Sequence, residues 1–450
     1  MQPIRLVVCG LGLAALLAGR AGDWPRFLGP TGDGTSSERG LLASFPSEGP
    51  PRLWARAIGA GYSAPSVRGD LLVLHHREGD EEIVEAMDAG TGTTRWRHAD
   101  PSRFSDPYGY NNGPRSTPLL TADRCYTFGA EGRLLCLELA AGRRLWSRDT
   151  GREWQVPEAF FGVGSTPLLE GDKLIVMVGG MPDAGVVAFD PADGRTLWES
   201  VGRSTWEGTP KTGWRGEPAV DWAEEDKQAS YTTPVAATIH GRRQVLCVTR
   251  QGLVSLDPDH GTVNFKYWFR SDVPQSVNAM TPVVSGDLIL ISAAYYRIGS
   301  VLLRVAPDGR SVSPVWRSTA LEVHWSTPIL RDGLLYAFSG RNEPDARFRC
   351  VEFATGRLAW ERDERWRRNT RQPDVYGRGS MILADDRLIV LGEGGLLGLF
   401  RPEAEAAVEL ARHQLPDLHY PCWTAPVLAE KRLYLRSEAR LICLDLAAKE

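Results

Sequence analysis

The chain has 450 residues, 42% of them hydrophobic, with 15 Trp, 47 Gly and a formal net charge of -4. This is enough apolar content for a sizeable core, and the lack of a basic excess argues against a nucleic-acid binder, for which a positive stripe is expected. The length would hold two or three ordinary domains, but a repeat architecture can spend it on one closed body.

Residues 1–21 read as a cleaved secretory signal. Arg5 precedes an apolar run from Leu6 to Ala18, and Gly19-Arg20-Ala21 supplies small residues at the cleavage spacing. A retained anchor is the rival, although the run is short for a spanning helix. Loss of Arg5 and Arg20 takes the balance to 50 minus 56, or -6. Residues 22–51 open with Trp24-Pro25-Arg26-Phe27-Leu28-Gly29-Pro30 and continue through a Gly/Ser/Pro-rich stretch, which predicts an extended lead-in packed across one face of the body.

From Tyr62 the chain repeats. A small hydroxyl residue or alanine precedes proline at Ala64-Pro65, Thr117-Pro118, Thr166-Pro167, Thr233-Pro234, Thr281-Pro282, Thr327-Pro328 and Ala425-Pro426, with Ser380-Met381 as an eighth, degenerate copy. A second mark is a small residue followed by a turn glycine and then an aromatic: Ala86, Gly92, Trp96; Cys136, Gly142, Trp146; Ala188, Gly194, Trp198; Ser255, Gly261, Phe265; Cys350, Gly356, Trp360. The best-defined unit, Ser165 to Trp198, shows short β-rich runs separated by Gly/Asp/Pro turns, which predicts a four-stranded antiparallel meander. Such a unit cannot bury both faces alone and must stack on its neighbours.

The spacing suits an all-β, eight-bladed propeller over 52–450. The eighth repeat ends without a fourth strand or a tryptophan, while Pro51 to Arg56 is a fourth strand with no repeat before it. Leu53-Trp54 is therefore expected to complete the last blade and close the ring.

The stretch Ala86-x-Asp88-x-x-Thr91-Gly92-x-x-x-Trp96, with the head motif Trp24 to Pro30, resembles the pyrroloquinoline-quinone-type β-propellers. The resemblance covers Trp24 to Leu446. It implies the propeller fold, and it implies two kinds of role, because this group includes quinone-dependent dehydrogenases and the propeller subunit of the outer-membrane protein assembly machinery.

In a propeller the connections from one blade's outer strand to the next blade's inner strand gather around the channel mouth. Three residues before each marker proline, or before Met381 in the degenerate copy, lie Tyr62, Arg115, Gly164, Tyr231, Ala279, Trp325, Arg378 and Trp423. Four aromatics and two arginines at one opening would suit a flat anionic ligand through stacking and bidentate hydrogen bonds. The alternative is that the rings pack between blades and the arginines pair with acids such as Asp106 or Asp374. Asn278 and His324 complete the candidate set, Asn278 as an amide oxygen donor beside Asn111 and Asn112.

Two long connections carry further aromatics: Trp206, Trp214 and Trp222 between Glu199 and Ser230, and Tyr108 and Tyr110 between Arg97 and Arg115. They read either as a binding surface or as covers for apolar edges. Trp206, Trp214 and Trp222 would also serve a carbohydrate-binding module. The run Arg362, Arg365, Arg367, Arg368 and Arg371 reads as a solvated face.

The resemblance implies, for its dehydrogenase members, pyrroloquinoline quinone with calcium, a vicinal cysteine pair and an aspartate base. The chain has no adjacent cysteines, no CxxCH haem site and no Asp or Glu in the mouth ring, so no catalytic residue and no metal site are assigned. If the hairpin after Cys125 turns at Ala130-Glu131, Cys125 and Cys136 fall opposite each other and a bridge becomes feasible. Otherwise Cys136, Cys350 and Cys443 fill the small-residue place that Ala86 and Ala188 fill elsewhere.

The expectation is an exported, monomeric, non-catalytic binding or scaffold propeller of the periplasm or cell envelope, taking a protein partner or small ligand at its mouth. Envelope membrane proteins are the partners that the resemblance implies. A periplasmic quinone-dependent dehydrogenase of alcohols or sugars is the alternative, with Arg115, Arg378, Trp325 and Trp423 around the cofactor.

Overall fold

The computed structural model describes residues 22–157, 159–207, 229–271, 276–366 and 374–448. The signal segment, Trp214, Trp222, Arg367, Arg368 and Arg371 lie outside them.

Eight four-stranded antiparallel sheets form the ring of a β-propeller. Blade 1 consists of Ser66–Arg68, Leu71–Glu78, Glu81–Asp88 and Thr94–Pro101. Blades 2 to 7 follow in chain order, and blade 8 consists of Val427–Ala429, Arg432–Arg436 and Arg440–Asp445 with Arg52–Ala57 as its outer strand. The chain start thus completes the last blade, with Trp54 opposite Cys443. No helix among the described residues is long and apolar enough to cross a membrane.

Both sequence marks have a packing reason. The marker hydroxyls link the inner strands: Thr117 Oγ1 accepts from the Ala64 N–H (3.2 Å), Thr166 Oγ1 from Thr117 (3.1 Å) and Thr281 Oγ1 from Thr233 (3.2 Å). The second mark puts a large ring opposite a small residue. Trp96 faces Ala86, Trp146 faces Cys136, Trp198 faces Ala188 and Trp360 faces Cys350, each pair beside a β-bulge. The bulge sharpens the local twist.

Each of these rings then docks on the next blade. Indole N–H groups donate to turn carbonyls there: Trp54 to Ala89, Trp96 to Leu139, Trp146 to Pro191, Trp198 to Pro258, Trp316 to Phe353 and Trp360 to Glu403, all at 2.9 to 3.1 Å.

The turn glycine is what lets the indole lie flat on that turn. A Cβ at Gly142, where φ is +67°, would stand 2.3 Å from the Trp96 ring. Gly142→Ala combines this clash with a left-handed backbone, and it is expected to cost about 2 kcal/mol or more, readable as a drop in the urea midpoint at unchanged slope.

The cysteine hairpin differs from expectation by one residue. Cys125 pairs with Leu137, and Tyr126 pairs with Cys136. A one-residue shift sends the two side chains to opposite faces of the sheet. Both are buried and free, as are Cys247, Cys350, Cys422 and Cys443.

The lead-in crosses the end of the channel away from the mouth. Trp24 pairs with Val67 of blade 1, Leu120 of blade 2 donates to the Pro25 carbonyl, Gly34 and Ser36 pair with Leu383 of blade 7, and Leu42 donates to Leu446. Phe27 lines both the mouth cavity and a smaller pocket of about 120 Å³, and so partitions the channel between them.

Candidate functional site

The mouth holds a cavity of about 190 Å³ lined by Tyr62, Tyr110, Arg115, Phe161, Tyr231, Tyr295, His324, Trp325, Arg378 and Trp423, among others, with Phe27 at its floor. Seven of the eight candidate residues read from the sequence meet there. Asn278 does not: it is 3% exposed, and its amide donates to the carbonyls of Thr249 (2.9 Å) and Phe269 (3.0 Å). The aromatic wall is continuous, with Trp423 centred 5.1 Å from Tyr62, 5.2 Å from Trp325 and 5.5 Å from Tyr110.

The arginines are not free to grip an anion. The Arg378 guanidinium stacks 4.4 Å from the Trp325 ring centre, and its edge is spent. Nε and Nη2 donate to the two oxygens of Glu393 (3.1 and 2.8 Å), Nη2 also to Glu343 (2.8 Å), and Nη1 to the Arg341 carbonyl and His324 Nδ1 (3.4 Å). Arg115 donates to Asp106 (2.6 Å) and to the carbonyls of Asn111 and Gly113, and it stacks near Tyr62 and Phe104. Pairing with Asp106 was foreseen, but Arg378 uses Glu343 and Glu393 rather than Asp374.

The ring read from the sequence carries no Asp or Glu, but three glutamates from other turns stand beside it. Glu343, Glu393 and Glu438 lie in turns between the second and third strands of blades 6, 7 and 8. In an antiparallel meander the ends of the second and fourth strands emerge on the same side, so these turns share the mouth with the blade-to-blade connections. Each carboxylate is engaged. Glu393 also accepts from the Arg378 amide and Trp423 Nε1 (both 2.6 Å), Glu343 from the Tyr420 hydroxyl (2.7 Å), and Glu438 from the Tyr62 hydroxyl (2.6 Å) and the Asn111 amide (2.7 Å).

The titratable groups of the wall are held neutral. Burial raises Tyr62, with the Glu438 charge adding to it, and burial pushes Tyr295 up to about 12. His324 is lowered well below the ordinary histidine value, first by burial and then by the charges of Arg378 and Arg341. Because a guanidinium only donates, His324 Nδ1 accepts and its proton sits on Nε2.

The long connections divide. Tyr108 and Tyr110 stand at the mouth with 51% and 43% exposure, as does Tyr296 of a blade 5 turn at 40%, against 0% for Trp206, which packs on Trp268 (5.5 Å) between blades 3 and 4 and covers an apolar edge. Arg362 pairs with Glu364 and Glu409, and Arg365 pairs with Asp363. His75 and His76 point to different partners, Glu82 and Glu85.

The donor set does not fit the quinone and calcium that the resemblance implies. The ligand is a polycarboxylate, and the two ring arginines that would neutralise it are bonded to internal acids. The acids that would hold a cation are bonded to those arginines and to tyrosine, tryptophan and asparagine side chains. Among the described residues no group of three or more His, Cys, Asp or Glu side chains is placed to hold a metal ion.

Known structures share the fold. Quinohemoprotein alcohol dehydrogenase from Comamonas testosteroni superposes with a TM-score of 0.65 at 13% identity, over 97% of this chain and 84% of its own. BamB from Moraxella catarrhalis gives 0.57 at 13% identity, over 89% of this chain and 98% of its own. A europium-containing methanol dehydrogenase gives 0.63 at 12%, over 94% and 90%. No curated protein matches by sequence. The family model described as outer membrane protein assembly factor BamB matches residues 80–311 and 303–450. With that match running through the blade repeats, the chain belongs to the pyrroloquinoline-quinone-repeat β-propeller family.

Proposed function

We propose that this protein is an exported binding propeller without a catalytic centre of its own, which receives a ligand or partner group in the mouth cavity. The supporting observation is that the charged groups lining the cavity already satisfy one another. Arg378 is bonded to Glu343 and Glu393, and Arg115 to Asp106, so no carboxylate beside the rings is left to take a proton from a substrate. What the mouth offers instead is a rigid aromatic wall with exposed tyrosines on its rim. Export rests on the signal read in residues 1–21, and the envelope as the place of action rests on that signal and on the family match.

The test is a titration of the mature protein with pyrroloquinoline quinone and calcium, followed by absorbance, with an artificial electron acceptor and a panel of alcohols and sugars added. The expected result is neither saturable binding nor turnover. Stoichiometric binding with turnover would overturn the proposal and make the protein a dehydrogenase.

A further inference from the structure

Arg341 differs from the two ring arginines. Its guanidinium lies over both the Tyr295 and Tyr296 rings, 4.7 and 4.5 Å from their centres, and it has no carboxylate partner or side-chain hydrogen bond among the described residues. Stacking fixes the plane of the group and leaves its N–H edge unspent. Tyr296 reaches this position with φ at +52°, a left-handed backbone unusual for a bulky side chain.

Two more donors stand beside it. Tyr295 lines the cavity at 7% exposure, and its hydroxyl has no partner among the described residues. His324, 5.1 Å from the Tyr295 ring, likewise has no partner for its Nε2–H, because Nδ1 is taken by Arg378. All three groups donate, and one carries an unbalanced positive charge. The rest of the cavity lining includes Phe161, Tyr231, Tyr62 and Trp423, all aromatic. An apolar cavity of roughly 150 Å³ accepts benzene, so about 190 Å³ suits a body of one or two fused rings.

Resting on the binding role proposed above, we infer that the mouth takes a small aromatic monocarboxylate. Its rings lie against the Tyr231 and Trp423 side, and its carboxylate is received at the rim by Arg341, with the Tyr295 hydroxyl and His324 Nε2–H as neutral donors. A single unpaired cation matches one acid group, which separates this ligand from a polycarboxylate quinone.

Calorimetric titration of the mature protein with naphthoate, and with naphthamide as its uncharged isostere, tests the assignment. Naphthoate is expected to bind about tenfold to a hundredfold more tightly than the amide, the range set by a charge-assisted hydrogen bond. Arg341→Gln should remove that preference while leaving amide binding unchanged. Tyr295→Phe, which keeps the ring on Arg341, should weaken naphthoate several-fold at an unchanged melting temperature.

Equal binding of acid and amide, insensitive to Arg341→Gln, would overturn the carboxylate assignment and leave the binding role standing. Binding of neither compound would overturn the inference as well. The binding role itself fails only on quinone-dependent turnover, which is a separate readout.

Discussion

Deletion of residues 52–58 is expected to unfold the entire ring in one transition rather than fray one blade. The segment contains the outer strand of blade 8, Arg52–Ala57, which pairs with Arg440–Asp445. Its Trp54 is 9% exposed, packs at a tilt against Tyr434 with ring centres 6.0 Å apart, and donates to the Ala89 carbonyl of blade 1 (3.1 Å). It lies over Gly92, as each other blade tryptophan lies over the next blade's turn. Without it, blade 8 presents an unpaired edge and the seam to blade 1 loses its anchor.

A milder version is Trp54→Ala, for which burial of a ring this size gives an expected loss of about 3–5 kcal/mol. Far-ultraviolet and near-ultraviolet dichroism followed together through urea unfolding would measure both variants. Coincident curves with a large loss of stability are expected. Retention of most of the native signal by the deletion variant, with only a local loss, would mean that the blades are independent units and the ring is not cooperatively closed.

Glu393→Ala is the second change with a large expected effect. The Glu393 carboxylate is bonded to the backbone, Nε and Nη2 of Arg378 and to the indole of Trp423. Arg378 is 7% exposed, and truncating Glu393 removes one of its two buried carboxylate partners, leaving Glu343 as the other. Breaking one side of a buried ion pair costs about 3–5 kcal/mol. Replacing both partners by leucine should recover only part of that loss, because the two apolar groups need no mutual compensation but the buried Glu343 then loses its arginine. Urea unfolding of Glu393→Leu, Arg378→Leu and the double variant measures the coupling. Additive losses would show that the pair is not the unit holding the mouth in shape.

Much of this molecule could be read from residue order alone, because a propeller repeats one local problem. A small residue must face a large ring, a glycine must let that ring lie on the next turn, and a hydroxyl before proline must bond the neighbouring inner strand. Each need recurs at a fixed spacing, so the blade boundaries, the closing strand and the ring of mouth positions followed from counting.

The cysteine pair marks one limit of counting, since a one-residue difference in a hairpin turn exchanges the two faces and nothing periodic reports it. The charges mark another. Arg378 meets Glu343 35 residues away in blade 6, and Tyr62 meets Glu438 across 376 residues at the seam. The turns between second and third strands differ in length from blade to blade, so the acids in them do not recur at one spacing. Local order therefore determined where the rings would stand. Only the closed tertiary structure decided which arginines were already neutralised, because that depends on turns from different blades converging on one opening.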